Sequence, residues 1–227
     1  MNEEKIVISL GGSLIVPEEI DVEFISKFVS VIKKYTSKGF KFVIITGGGK
    51  ICRRYNDAAE KLITPLKDDL DWLGIATTRL NSELVRIAFG DLAFNKIIMD
   101  PDFILETDKP IILGAGWKPG NSSDLAAIHS AISVGAKKII NLSNIDYVYN
   151  KDPKKYNDAV KIEQISWVDF RKLLPEEWDP GLNTPFDPIA AKKAESVGIE
   201  VDILNGKNIS NLEKCLNGED FVGTKIK

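Results

Sequence analysis

Residues 43–55, VIITGGGKICRRY, run four apolar or β-branched side chains into Gly47, Gly48 and Gly49, then into Lys50, Arg53 and Arg54. Bare backbone followed by cations suits an anion. Glycine lets main-chain N–H groups come close to a ligand, and the start of a helix favours negative charge. On a helix, Lys50 shares a face with Arg53 and Arg54. A unit charge 4 Å from another gains about 4 kcal/mol at an effective dielectric of ~20, and arginine adds a bidentate fork. Lys50 stands at the helix start, where a cation is unfavourable, so it needs a negative partner. Two more glycine-bearing turns follow apolar runs, SLGGS at 9–13 and GAGWKPGNSSD at 114–124. Any one of them is equally a tight turn; three at matching strand ends point to phosphate.

Two standard phosphate motifs do not fit. Ile44 occupies the first glycine of a Walker-type loop and Ile51 follows Lys50, where that loop has Ser or Thr. The turn from Gly114 to Gly120 reads G-x-G-x-x-x-G, which misses the dinucleotide fingerprint.

Elements that could position these turns alternate along the chain. Ile6–Leu10 reads as a buried strand, and Asp21 caps a helix whose apolar positions Phe24, Ile25, Phe28, Val31 and Ile32 follow a 3.6-residue period. Gly39 stops it. Further strands are expected at 40–46, 96–99, 110–115, 138–142, 200–204 and 221–226. Helices are expected just after the triple glycine, at 69–89, at 123–134 with Gly135 as its stop, and at 212–216. Ser166 with Asp169 reads as a capping box. Asp187 with Pro188 starts a helix that Gly198 closes. Such alternation predicts an α/β fold with a mostly parallel sheet, helices on both faces and ligands at the carboxyl ends of the strands.

The chain has 227 residues, with 30 basic against 33 acidic side chains and a net charge of −3. That balance argues against a broad nucleic-acid surface and permits a small anionic ligand. Cys52 and Cys215 are too few and too distant for a disulfide framework or a Cys-rich zinc site. A reducing cytoplasm is the simplest compartment. No apolar run approaches the ~20 residues of a membrane helix, and MNEEKIVISL lacks a leader pattern.

Six segments, in order, resemble the amino-acid kinase superfamily, and within it the archaeal-type uridylate kinases. They are SLGGS at 9–13, GGGKICRRY at 47–55, DWLGIATTRLN at 71–81, GWKPGNSSDLAA at 116–127, NLSNIDYVYNKDP at 141–153 and FDPIAAKKAESVGI at 186–199. The resemblance implies a three-layer α/β sandwich in one domain over 1–227. A lobe near 1–135 would hold the phosphate acceptor and one near 136–227 would hold ATP. It implies transfer of a phosphoryl group from Mg²⁺-ATP to UMP, with Mg²⁺ carried by the nucleotide, and a homo-oligomer, a hexamer. Gly48, Asp71 and the turn Trp117, Lys118, Pro119, Gly120, Asn121, Ser122 and Ser123 would touch UMP. Gly12, Ser13, Gly49 and Arg53 would face the ATP phosphates. Ser143, Asn144, Tyr149 and Asp152 would frame adenosine.

Asp124 matches the family's organising carboxylate; the plainer role is a helix cap. Many superfamily kinases carry a lysine in the first loop, where this chain has Ser9. Lys50 is therefore expected to supply the catalytic cation, with Lys192 a lesser candidate. Tyr147 stands where the family often has glycine, which bears on ATP against GTP. His129, the only histidine, is expected to be a packed or half-exposed helix residue. None stands near the second glycine loop, which counts against isopentenyl phosphate as acceptor. Residues 176–188 are expected to form a loop, either packing through Trp178 and Phe186 or gating a nucleotide. Leu73, Ile75 and Leu80 exceed what one helix face must bury and suggest a subunit interface. A kinase of another phosphorylated acceptor and a non-catalytic nucleotide sensor remain alternatives.

Overall fold

The computed structural model describes residues 4–103, 107–175 and 184–227. The first half runs β1 (Lys5–Leu10), α1 (Gly12–Ile15), α2 (Val22–Thr36), β2 (Lys41–Thr46), α3 (Gly49–Leu62), α4 (Lys67–Phe89) and β3 (Ile111–Gly114). The second runs α5 (Ser123–Val134), β4 (Lys138–Ser143), β5 (Val148–Tyr149), β6 (Lys161–Ile162), β7 (Gln164–Ile165), α6 (Trp167–Arg171), α7 (Pro188–Val197), β8 (Glu200–Asn205), α8 (Ile209–Leu216) and β9 (Thr224–Ile226). Seven strands form one sheet in the order β3-β2-β1-β4-β8-β9-β7, and β5 pairs with β6 apart from it. Strands β3, β2, β1, β4 and β8 are mutually parallel; β9 runs antiparallel to β8.

The alternation of side chains along β1 builds two cores at once. Ile6, Ile8 and Leu10 join Phe28, Ile32, Phe42 and Leu212 on one face. Val7 joins Ile45, Ile128, Ile139, Trp167 and Val201 on the other. A strand buried on both sides needs helices on both sides, and α2 and α8 cover one face while α5 and α7 cover the other. Local signals hold as expected at several ends. Asp21 Oδ1 accepts from Phe24 N at 2.9 Å, and Gly135 and Gly198 close their helices.

Four expectations shift. Residues 96–99 form no strand; only Ile98 bridges Gly114, because Asp100 and Pro101 turn the chain away from the edge of β3. The last strand starts at Thr224, and 221–223 lead into it. Asn208 caps α8 by accepting from Asn211 N, so that helix starts earlier than 212. Ser166 caps α6, but the Asp169 carboxylate takes the Ser166 hydroxyl at 2.9 Å, so a full capping box is not what holds this end. Trp178 and most of the 176–188 loop lie outside the described residues, while Phe186 is buried against Trp167.

The first two glycine turns press backbone against backbone. A Cβ on Gly12 would lie 2.1 Å from the Gly49 nitrogen, and one on Gly49, at φ +66°, would lie 2.3 Å from the Gly12 oxygen. Glycine therefore serves the contact between turns as well as any ligand. Gly12→Ala is expected to destabilise the protein by about 3 kcal/mol, since main-chain atoms cannot step aside. Gly218→Ala, at φ +72° in open space, is expected to cost only about 1 kcal/mol. Urea titration of both variants checks the difference.

Candidate active site

Strand order reverses at β1. Its neighbours are β2 on one side and β4 on the other, so a crevice opens at the carboxyl ends of β1 and β4. Ser9 and Asn141 face each other there in register, and Asp124, from the first turn of α5, sits above them. Its Oδ1 accepts from Ser9 Oγ at 3.0 Å and from Asn141 Nδ2 at 2.9 Å, and its Oδ2 accepts from Asp187 N at 3.2 Å. Ser122 caps α5 by accepting from Leu125 N at 3.1 Å, so Asp124 is not the cap of that helix. Asp187 caps α7 by accepting from Ala190 N at 2.7 Å. Burial, then the charge of Asp187, pushes the Asp124 carboxyl up to about 6 against the pull of its hydrogen bonds. Burial raises Asp187 as well.

Beside this carboxylate pair lies a cavity of about 400 Å³ between α3, α4 and the turn after β3. Helix α3 starts at Gly49, just after β2, so its N-terminal end lies at the strand ends, with the Lys50 amide donating to Val16 O at 3.2 Å. Helix α4 holds the turns in place with a polar stripe inside an otherwise apolar face. Asn81 Nδ2 donates to Gly47 O at 2.8 Å and Gly48 O at 3.2 Å. Thr78 Oγ1 accepts from Gly116 N at 2.8 Å, and Ser82 Oγ donates to Gly114 O at 2.6 Å. At the start of α4, Asp71 Oδ2 accepts from Gly120 N at 2.7 Å.

The fold brings Gly48, Gly49, Arg53, Asp71, Asn121, Ser122, Ser123 and Asp124 together on this cavity. Other expected residues stand apart from its wall. Trp117 leans on His129, ring centres 5.3 Å apart, with the Lys118 ammonium 3.8 Å from the centre of its ring. His129 is partly buried, as expected, and its Nδ1 is 2.6 Å from Asp102 Oδ1. Pro119 and Gly120 complete that turn, Gly120 acting through its amide. Gly12 and Ser13 lie behind Gly49, at the start of α1. Ser143 ends β4, Asn144 follows it exposed, Tyr149 lies in β5, and Asp152 turns the chain by accepting from Lys154 N at 2.9 Å. The Tyr147 ring lies under the Lys161 ammonium at 4.7 Å.

Lys50 departs most from expectation. Its ammonium pairs with Glu18, and Arg54 reaches Glu18 at 3.5 Å and Glu19 at 3.7 Å. The negative partner that a cation at a helix start requires is supplied by the chain itself. Arg53, not Lys50, lines the cavity. Lys192 is exposed on α7. Of the apolar residues on α4, Leu80 is exposed, whereas Ile75 is buried within the chain against the Gly116 turn, so Ile75 does not serve a subunit interface.

Residues that the sequence reading passed over also build the site. Thr78, Asn81 and Ser82 carried a usable signal, polar groups at helical spacing on a buried face. Asp187 had been assigned only a capping role. Cys52 and Asn56 line the cavity from α3 with no sequence signal, because that helix reads as a solvated surface.

Residues 4–205 match the model of a family described as the amino acid kinase family. A uridylate kinase from Methanobrevibacter smithii is 34% identical over 226 residues, covering 98% of each chain. One from Methanocaldococcus jannaschii is 31% identical over 227 residues, covering 96% of this chain and 100% of its own. The crystal structure of uridylate kinase from Archaeoglobus fulgidus aligns with a TM-score of 0.85 at 32% identity, covering 98% of this chain and 100% of that one. A UMP kinase from Ureaplasma parvum, 20% identical with a TM-score of 0.79, shares the fold. With the strand order, the glycine turns at the switch point and the family match in agreement, this chain belongs to the amino acid kinase family.

Proposed function

We propose that this chain transfers the γ-phosphoryl group of ATP to UMP, giving UDP and ADP. The observation that carries the proposal is the cavity at the switch point, where the start of α3 and Arg53 face Asp71 on one side and Asp124 with Asp187 on the other. Similarity to uridylate kinases along the whole chain supports UMP as acceptor. An oxygen of the UMP phosphate attacks the γ-phosphorus, a new P–O bond forms, and the bond to the bridging β–γ oxygen breaks. Such transfer asks for positioning and charge neutralisation more than covalent catalysis, so the lack of a histidine in the cavity wall is no obstacle.

Residues 1–135 supply the acceptor site through Gly48, Asp71 and the 117–123 turn. Gly12, Ser13, Gly49 and Arg53 meet the ATP phosphates, and in 136–227 Ser143, Asn144, Tyr149 and Asp152 meet adenosine. If Mg²⁺ accompanies ATP, Asp124 and Asp187 would hold it, and it would supply neutralisation of the charge that transfer develops. Asp124 and Asp187 fit that ion, since it takes one or two carboxylates beside phosphate oxygens. Lys50 exchanges Glu18 for the transferring phosphoryl group. Its pair with Glu18 is solvent-exposed, the Glu18 side chain being 67% accessible, and exposed pairs hold weakly. Leu80 and Ile87, left exposed on α4, support a homo-oligomer, a hexamer, and the two free cysteines suit the cytoplasm.

A coupled assay with Mg²⁺-ATP across UMP, CMP and isopentenyl phosphate is expected to give turnover on UMP; nucleotide binding without any UDP would overturn the proposal. Lys50→Ala is expected to lower kcat by about 10³-fold with UMP binding retained, while Glu18→Gln keeps kcat within about threefold. If Lys50→Ala leaves kcat unchanged, Arg53 supplies the cation instead.

Asp124 also sets a pH dependence. Its carboxyl holds a proton to about pH 6 in the folded chain and releases it near pH 4 when unfolded. The stability this proton contributes is present below about pH 4 and is lost as pH rises to about 6, by roughly 3 kcal/mol. Asp124→Asn is expected to abolish most of that slope in urea titrations of the nucleotide-free protein.

A further inference from the structure

The turn between β3 and α5, residues 115–122, is fastened at both ends and lightly held in the middle. Thr78 holds Gly116 N at one end, and Ser122 caps α5 at the other. Between them Lys118 and Gly120 are exposed, and Gly120 takes φ +76° in open space. Asn121 N donates to Lys118 O at 3.2 Å and Asn121 Nδ2 to Pro119 O at 3.0 Å. Those bonds curl the stretch but join it only to itself. Among the described residues, two polar or aromatic contacts reach its middle from other elements. On the cavity side, Asp71 Oδ2 accepts from Gly120 N at 2.7 Å. On the far side, Trp117 leans on His129 of α5, ring centres 5.3 Å apart and planes tilted by 53°.

His129 is itself held. Its Nδ1 lies 2.6 Å from Asp102 Oδ1. A carboxylate only accepts, so Nδ1 is the donor, which sets the tautomer and the plane of the ring. The loop that carries Asp102 is anchored in turn. Asp102 N donates to Asp100 Oδ1 at 3.0 Å, and Ser133, one turn beyond His129 on α5, donates from Oγ to Pro101 O at 2.7 Å. A line of contacts therefore runs from this loop through the imidazole to the indole. The Lys118 ammonium stands 3.8 Å from the centre of the same indole ring, so the place of Trp117 also sets the place of that cation. A turn pinned at one point can pivot; a second contact on the opposite side removes that freedom.

We propose that His129 is a positioning residue: with Asp102 it props Trp117, and so sets how the 117–123 turn stands against the cavity and how tightly the acceptor binds. The inference rests on the reading of that turn as the acceptor site and adds to it a residue that touches neither substrate. His129 follows Asp124 by five residues, about 7.5 Å along the helix axis. One helix thus carries both the carboxylate at the cavity and the prop behind the turn. The two parts of the imidazole do separate work: its face supports the indole as a tilted aromatic pair, and Nδ1 keeps the ring in place.

The test measures KM for UMP, KM for ATP and kcat in the native enzyme, His129→Ala, His129→Phe and Ser133→Ala. His129→Ala is expected to raise KM for UMP about fivefold, the size of a lost aromatic pair, with KM for ATP and kcat each within about twofold. His129→Phe keeps a ring under Trp117 and is expected to restore most of the affinity. Ser133→Ala removes the other bond between α5 and the 100–102 loop while sparing His129, and is expected to leave KM for UMP as in the native enzyme. An unchanged KM for UMP in His129→Ala, an equal rise in KM for ATP, or an equal rise in Ser133→Ala would each overturn the inference. Should His129→Ala not fold by circular dichroism, His129→Asn against His129→Phe carries the same test. Asparagine keeps a donor toward Asp102 and lacks the ring, so it is expected to show the rise that phenylalanine does not; equal values in the two would sink the role of the ring. A native enzyme that makes no UDP would overturn UMP as acceptor and this inference with it, and that failure is read before any variant is compared.

Discussion

The structure around the cleft depends on one half-buried carboxyl group. Asp124 is bonded to Ser9 on β1, to Asn141 on β4 and to the Asp187 amide at the start of α7, while it rides on α5. Four elements from distant parts of the chain meet at two oxygen atoms. An acid taken from water gives up hydration, and the three bonds offset part of that loss. The remaining imbalance leaves its carboxyl raised to about 6, a site in want of cations.

A second constraint acts on the main chain. The turns after β1 and β2 touch backbone to backbone, and the polar stripe on α4 holds the turns after β2 and β3 through Asn81, Thr78 and Ser82. Bonds of this kind, buried and satisfied, make a rigid frame. The start of α3 therefore points at the cleft because the sheet and α4 leave it no other direction. Side chains on the outer surface of that helix are held less firmly. Lys50, in an exposed pair with Glu18, can change partner at little cost, whereas Asp124 cannot.

The two kinds of acid at the cleft divide the work by environment. Asp71, at the first turns of α4, anchors an exposed turn through the Gly120 amide. Asp124 and Asp187 sit deeper, and each carboxyl is raised by burial. The division follows from distance to the sheet.

Much of this was legible in the chain itself. Ile6–Ile8 and Phe42–Ile45 are apolar on consecutive residues, which requires strands covered on both faces, and that in turn demands a parallel sheet with ligands at its carboxyl edge. Asp21, Asp187, Gly135 and Gly198 marked helix ends because caps are local chemistry. Family resemblance pointed to Asp71, Arg53 and Asp124, and all three reach the cavity. What sequence could not decide was which way long or surface-type side chains turn. Lys50 met Glu18, a residue 32 positions away on another element, and no helical spacing reveals such a neighbour. Ile75 looked surplus on its helix, yet the Gly116 turn folds over it. Asn56 read as one more polar residue on a solvated helix and comes to line the cavity, half-buried, only because α4 packs beside α3. Local backbone preference is written in neighbouring residues; the environment of a side chain is set by elements far away in sequence, and only their packing determines it.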